Sequence, residues 1–498
     1  MLDNMNMNVK IKDLISNKRL FYLGIFTIIM IFFNVAHPLI IYNTDDWYNI
    51  GYMRRALPIW GYFNPIKVFP ETLMPLTGYL GAYIIYPILG DYIRSLAVAC
   101  AIVLSLFVLV YIISFDKYII KKFQLSSYVS SFVTVVFLVF HFLCFKTKLY
   151  NNEFLLSSID ITCIFNYTIP ALLNSSLVLF LLRYDLNDEL KNKRNSFNVG
   201  ILCLALYLAL CSNLYENAIL AIFVSLDLFY SLIELKLKDK NINKFGIKNK
   251  IQIVVVIGWI FTLIFELSGK RAMDLSSGKS FDIYGAMQSF IGLLLQTNKL
   301  FVLISGIIVI VFGIILFMNK DINILKEWIK LVITCILVCI YVVLLSGKVS
   351  VSYAGRSDVF LSVGFYVILC VCFSLAYIMK KESRINIFIP IIVFILFCQV
   401  INASKSFKDI NGYQLSWEQC KNVDDYILLN ITEADRKGQD CLQLSVPKGN
   451  ADFSNWPHAT YMGSLISDTL YRHGIISKPI AIEIIPDENI NQKFNLTY

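Results

Sequence analysis

Residues 76–93 read LTGYLGAYIIYPILGDYI, an apolar run as long as a membrane crossing, and whether it crosses decides the side on which everything after it lies. If it crosses, the segments Asp116 to Lys122 and Arg183 to Arg194 fall outside. If it lies on or dips into the outer leaflet, every strongly basic linker falls inside. Those linkers carry Lys117/Lys121/Lys122, Arg183/Lys191/Lys193/Arg194, Lys236 to Lys250, Lys320/Lys326 and Lys380/Lys381/Arg384. Cytoplasmic loops collect Lys and Arg, so the second arrangement is the expected one.

The composition makes the membrane question the right one. Of 498 residues, 57% are hydrophobic and only 16% charged, with a mean hydropathy of +0.64. Such values lie far from a soluble domain and fit a polytopic helical membrane protein. The formal charge of +9 then calls for no nucleic acid, because basic loops beside anionic membrane lipids account for it. Expected spans are 20–41, 95–114, 127–145, 163–182, 198–211, 218–235, 251–267, 298–317, 328–346, 359–379 and 385–402. Lys10, Lys12, Lys18 and Arg19 precede the first, which is too long for a cleaved signal and lacks a small-residue cleavage pattern. The expectation is an all-α membrane domain over 1–402 with about eleven spans, its N-terminus cytoplasmic.

The outer face then gathers segments 42–94, 146–162, 212–217, 268–297, 347–358 and a polar tail, 403–498, expected to form a small extracytoplasmic α/β region. The first outer loop is broken by Pro65, Pro70 and Pro75 into pieces suited to juxtamembrane helices. Ten of the twelve cysteines sit in or beside apolar segments as small hydrophobes, whereas Cys420 and Cys441 lie in the tail. Those two either form a bridge at an oxidising surface or stay as free thiols. No repeat of solenoid length or inverted repeat is evident.

The rare charges of the outer face are the candidate chemistry. Asp45-Asp46-Trp47 follows the first span. Adjacent carboxylates near low dielectric push one pKa up, which suits a general base for a hydroxyl. The same run, Asn43 to Asp46, equally suits a helix cap. Arg54 and Arg55 come next, among Tyr48, Tyr52, Trp60 and Tyr62, and read either as phosphate and sugar partners or as an interfacial aromatic belt. Glu71 reads as solvated. Glu153 and Asp160 are loop acids, each able to complete a polar pocket or simply to face water. Ser212 to Asn217 interrupts a long apolar stretch, and Glu216 with Asn213, Tyr215 and Asn217 around it is either a functional intramembrane acid or a wet hairpin turn. Lys270-Arg271 and Lys348 with Arg356 face out against the positive-inside bias. They are expected to hold phosphate or to pair locally, Arg356 with Asp358 and Arg271 with Asp274.

Other chemistries lose ground. Gly278-Lys279-Ser280 lacks the earlier glycine of a phosphate-binding loop, with Met273 in its place. His37, His141, His458 and His473 have no metal-ligand spacing, and no nucleophile elbow appears.

An acidic pair soon after the first span, surface helices in a long outer loop, about eleven spans and a polar outer tail together resemble the GT-C-type integral-membrane glycosyltransferases. The likeness is to a bacterial multi-span branch with a DD-aromatic motif (Asp45-Asp46-Trp47), a central Glu-Asn step (Glu216-Asn217) and a late outward arginine (Arg356). The resemblance implies a polyprenyl-phosphate-linked sugar as donor and a glycan, lipid or protein as acceptor. It implies Asp45 or Asp46 as the base for an inverting attack, and Arg356, Arg271 or Arg55 on the departing lipid phosphate. Trp47, Glu153, Asp160, Tyr215, Glu216 and Asn217 would line the pocket, and the tail, with Trp417 and Trp456, would cap it. Metal-using relatives carry a second acidic motif, for which this chain offers only Glu153 and Asp160; a divalent cation stays open and no other cofactor is expected. A lipid-linked glycan polymerase or ligase, or a transporter or flippase of lipid-linked or polar solutes, is the alternative.

Overall fold

In the computed structural model the described residues are 17–53, 65–145, 154–158, 160–184, 196–237, 249–267, 281–382, 384, 395, 398–399, 415–448 and 461–496. The expected span 385–402 falls almost wholly outside them, as do Lys10, Lys12, Arg54, Arg55, Trp60, Tyr62, Glu153, Lys270, Arg271, Asp274, Trp456 and His458.

The chain is mostly helical, and eight of the described helices are long and apolar enough to cross a membrane. These are α1 (Lys18–Ala36), α3 (Pro70–Leu89), α4 (Tyr92–Phe123), α6 (Ile161–Leu181), α8 (Leu214–Leu237, apolar over Leu214–Ile233), α11 (Lys299–Asn319), α12 (Ile322–Val349) and α13 (Ser357–Lys381). Shorter apolar helices fill the remaining places: α5 (Ser127–Leu143), α7 (Ser196–Leu210), α9 (Lys250–Leu267) and α10 (Ile283–Leu294). The short α2 (Thr44–Gly51) follows α1. Helix α13 is 94% buried over its apolar window and forms the axis of the bundle, whereas only 17% and 22% of the corresponding windows of α1 and α11 are buried. An all-apolar helix belongs either in a core or against lipid, and the two kinds are found here side by side.

One end of the bundle is basic and tied by ion pairs. Lys18 meets Asp116 at 2.9 Å, Lys381 meets Asp321 at 2.9 Å, and Lys122–Glu327 and Lys330–Asp227 pair in the same layer. Lys121 donates to the Arg183 carbonyl there. The other end lies about 36 Å up α4 from Asp116, at 1.5 Å per residue. At that end Lys421 pairs with Asp91 at 3.0 Å and the C-terminal residues dock. Lys18 and the C-terminal unit therefore stand at opposite ends of the same 32-residue helix.

The run 76–93 is not one segment. Gly90, at φ 70, ends α3, and Asp91 caps α4 by accepting from the Arg94 amide. Helix α3 runs back along the first half of α4: the Phe69 ring meets Phe107 at 5.8 Å, and Gly81 packs on Leu96 and the Ser95 carbonyl. A side chain at 81 would have no room there, so glycine sets the approach. The backbone entering α3 hangs from the turn between α7 and α8, with Phe69 N donating to Cys211 O at 2.9 Å and Lys67 N to Ser212 O at 2.6 Å. Its start is thus level with Phe107, about 15 Å short of Lys117 at the basic end.

The tail forms a small α/β unit. α14 (Trp417–Arg436) leads to β1 (Cys441–Pro447), α15 (Met462–Arg472), β2 (Ala481–Asp487) and α16 (Glu488–Lys493). β1 and β2 are parallel neighbours in register Cys441↔Ala481 to Pro447↔Asp487, joined through α15 as a crossover. Parallel pairing needs such a connection. Cys420 is buried inside this unit and Cys441 is exposed on β1, and no disulfide joins them.

Candidate functional site

The acid end of the bundle is built on the cap of α2. Asn43 is the N-cap, its side chain accepting from the Asp45 amide at 3.3 Å, and Asp46 closes a capping box. Asp46 Oδ2 accepts from the amides of Tyr42 and Asn43, while Oδ1 accepts from the Thr162 amide and hydroxyl, both at 2.7 Å. The Asp46 carboxylate is 1% exposed, and four donors occupy it. It welds α2 to the start of α6, which leaves it unsuited to take a proton from a substrate. Asp45, one residue earlier, is exposed.

The second wall is the N-terminus of α6. Asp160 caps it, with Oδ1 accepting from the Cys163 amide at 2.6 Å and Oδ2 from Asn43 Nδ2 at 3.1 Å. Asn43 thereby links the two acidic loops. Burial raises the Asp46 pKa, and Asp160 adds to the rise against the pull of the Thr162 and Asn43 donors. Burial also raises Asp160, with Asp45 adding and the Cys163 bonds and Arg356 opposing. The expected repulsion thus operates mainly across the two loops, Asp46 against Asp160, because capping turns the side chain of Asp46 inward.

The third wall carries Arg356, between a short 3-10 turn (Val351–Gly355) and α13. Its Nε and Nη2 donate to Asp358 at 2.9 and 2.5 Å, and Nη2 also reaches Cys163 Sγ at 3.1 Å. The local pairing with Asp358 is therefore present. It directs one edge of the fork inward and leaves Nη1 with no hydrogen bond among the described residues. The guanidinium lies 4.7 Å from the Tyr167 ring and 5.2 Å from Tyr353, and Tyr353 stacks on Tyr215 at 5.5 Å. Burial opposes the charge on Arg356, but the Asp358 carboxylate outweighs it and holds the guanidinium protonated. Tyr167 sits in a π-helical turn, Ile164–Thr168, a distortion frequent at functional sites.

Beneath this wall is Glu216, 0% exposed, with no hydrogen bond to either carboxyl oxygen among the described residues and within electrostatic reach of Asp358 and Arg356. The wet-hairpin reading fails here: α7 and α8 meet in a turn buried under α12 and α13, where Tyr341 and Tyr366 donate to the Leu214 and Ile219 carbonyls. Asn217 does not line the site. Its side chain donates to Leu210 O and accepts from Trp259 Nε1, closing the turn on α9. Trp47 is 1% exposed and acts as a core anchor of α2. Glu71, expected to be solvated, pairs with Lys67 at 3.5 Å. Among the described residues no three His, Cys, Asp or Glu side chains are placed to hold a metal ion.

The structure thus brings together Asp45, Asp46, Asp160, Tyr215, Glu216 and Arg356, while Arg55, Arg271 and Glu153 lie outside the described residues. Sequence reading passed over Asn43 as a bridge, and Thr162, Cys163, Tyr167 and Tyr353 altogether. The spacing Asn43-x-x-Asp46 was the available signal for a capping box. Nothing local marks the tyrosines, which meet only in three dimensions. No protein-family model, curated protein or solved structure matches the chain.

Proposed function

We propose that the protein is a membrane glycosyltransferase that moves a sugar from a polyprenyl-phosphate donor to a hydroxyl of a glycan, lipid or protein acceptor. The observation that carries this reading is the juxtaposition, across Asp160, of an exposed carboxylate and a held guanidinium. Asp45 stands on one side and Arg356 on the other, at the end of the bundle away from the paired lysines. In this reading Asp45 takes the acceptor's proton as the hydroxyl oxygen bonds to the anomeric carbon. The bond from that carbon to the phosphate oxygen breaks with inversion, and the lipid phosphate leaves with its electron pair. Nη1 of Arg356 faces the charge that grows on it, which is where such a donor is worth most.

The orientation follows the lysines. Lys117, Lys121, Lys122, Arg183, Lys320, Lys326, Lys380 and Lys381 all belong to the basic end, which we place in the cytoplasm. The acid end and the C-terminal unit then face outward. About eleven crossings fit this arrangement, with α3 entering the bundle from the outer side and returning to it without crossing. Transport is supported less, because Asp227, an acid it could use, lies in the basic layer and pairs with Lys330.

The test uses membranes given radiolabelled polyprenyl-phosphate sugars. Asp45→Asn should lower transfer by about 10²–10⁴-fold, the usual worth of a positioned base. Arg356→Ala should lower it as well at equal expression. Donor left unconsumed by the wild type, or an Asp45→Asn variant that keeps full activity, would sink the reading.

A further inference from the structure

The C-terminal unit does more than cover the outer end; it grips the acid helix. Thr469, on α15, donates its hydroxyl to the Trp47 carbonyl at 2.7 Å, in the middle of α2. Gly51, the last residue of α2, packs flat on the same threonine, and a Cβ there would lie 2.7 Å from Thr469 Cβ. One turn on, His473 Nδ1 shares a hydrogen bond of 2.6 Å with the Tyr92 hydroxyl at the head of α4. Gly78 of α3 leaves room for both Ile50 O and His473 Nε2, the latter 3.0 Å from where a Cβ would stand. Trp417 Nε1 donates to Leu39 O at 3.0 Å, tying α14 to the chain just before α2. The seam is dry: Trp47 and Thr469 are 1% exposed and His473 2%. Burial pushes the His473 imidazole down to about 4, so it sits there neutral at physiological pH.

An eight-residue helix has little stability of its own. Its inner face is held by Asp46, and its outer face meets α15. We propose that the C-terminal unit is a positioning clamp: docking of α15 through Thr469 and Gly51 sets the place of Asp45. Thr469 and Gly51 are positioning residues, since neither touches a reacting atom. The docking stands on geometry alone, whereas its effect on turnover rests on the transferase reading above.

Hydrogen–deuterium exchange on the full chain in lipid nanodiscs separates the two. Gly51→Ala should force α15 off and speed exchange of the 44–51 amides, with 92–123 unchanged. Thr469→Val, which removes only the hydroxyl bond, should speed the same amides by about tenfold, the size of one net hydrogen bond. The double variant Gly51→Ala/Thr469→Gly makes room for the methyl but still lacks the hydroxyl bond, so it should regain protection only to about the level of Thr469→Val. In the transfer assay the single variants should lower kcat while leaving the donor KM in place. Unchanged exchange over 44–51 in Thr469→Val overturns the clamp, even if Gly51→Ala proves too disruptive to fold. Loosened amides with an unchanged kcat would overturn the positioning role. A wild type that transfers no sugar would fail the transferase reading alone, since the exchange result still decides the docking.

Discussion

Asp116 and Glu216 are both carboxylates with 0% exposure, one at each end of the same bundle, and the structure treats them in opposite ways. Asp116 accepts from Lys18 at 2.9 Å, Tyr22 at 2.6 Å and Thr134 at 3.0 Å, and Lys18 is held further by Ser130 and Ser131. Glu216 has no hydrogen bond at either oxygen among the described residues. Burying a carboxylate is costly unless it is paired and hydrogen-bonded, so the first is a completed brace and the second an unfinished seat. Burial of charge alone therefore does not separate the two acids; the supply of partners does. At the acid end the same deficit recurs, among the described residues, at both oxygens of Asp424 and at Trp47 Nε1.

The comparison is broken most directly by removing each acid. Asp116→Ala strands Lys18 against Tyr22 and the serines and should cost about 3 kcal/mol or more, as loss of one partner of a buried pair does. Glu216→Gln keeps the side chain's shape, removes no hydrogen bond among the described residues, and should leave the thermal midpoint in detergent within a degree or two of wild type, about what a change below 0.5 kcal/mol produces. If Glu216→Gln melts as early as Asp116→Ala, the distinction between brace and seat is lost.

A smaller effect is expected at Asp46. Its side chain caps α2 and binds the start of α6 through Thr162, so Asp46→Ala should destabilise by about 2 kcal/mol, one cap plus buried hydrogen bonds. Asp45→Ala, exposed on the same helix, should cost a few tenths of that at most. Differential scanning of the two purified variants checks it, and equal midpoints would return the pair to interchangeable status.

How much of this was readable beforehand follows from where each signal resides. The apolar runs expected as spans, from 20–41 to 359–379, are written in hydropathy, which is local, and helices lie over them, eight of the described helices being long enough to cross a membrane. The break at Gly90 is also local, but the level at which α3 starts is set by Phe69 on Phe107 and by Gly81 on Leu96, contacts no linear pattern records. Of the acidic pair, sequence spacing contained both meanings, cap and base, and only the turn of α2 separates them: Asp46 inward, Asp45 outward. Arg356 was expected to bind phosphate or to pair with Asp358, and the structure shows the second while leaving Nη1 for the first. Asp424 had a readable mark that went unused. It sits among Cys420, Val423, Ile427 and Ile431, a charge on the apolar face of an amphipathic helix.

That charge gives the mildest prediction. Burial raises the Asp424 pKa, and Asp425 and Asp46 raise it further, with only Lys421 opposing; Lys421 itself is shared with Asp91 and Asp425. A raised folded pKa means that the contribution of Asp424 to stability is whole below its unfolded value of about 4 and is lost as pH climbs through the folded one. Wild-type melting should therefore fall between pH 5 and pH 9 more steeply than that of Asp424→Asn, which cannot ionise. At pH 5 the two should nearly coincide, because an amide in that place is as poorly partnered as the neutral acid. At pH 9 the variant should be the more stable, and its C-terminal unit should resist proteolysis longer. Melting curves that stay parallel across that range would mean that Asp424 is not the group whose ionisation loosens the acid end, and Asp46, with Asp160 beside it, becomes the next carboxyl to neutralise.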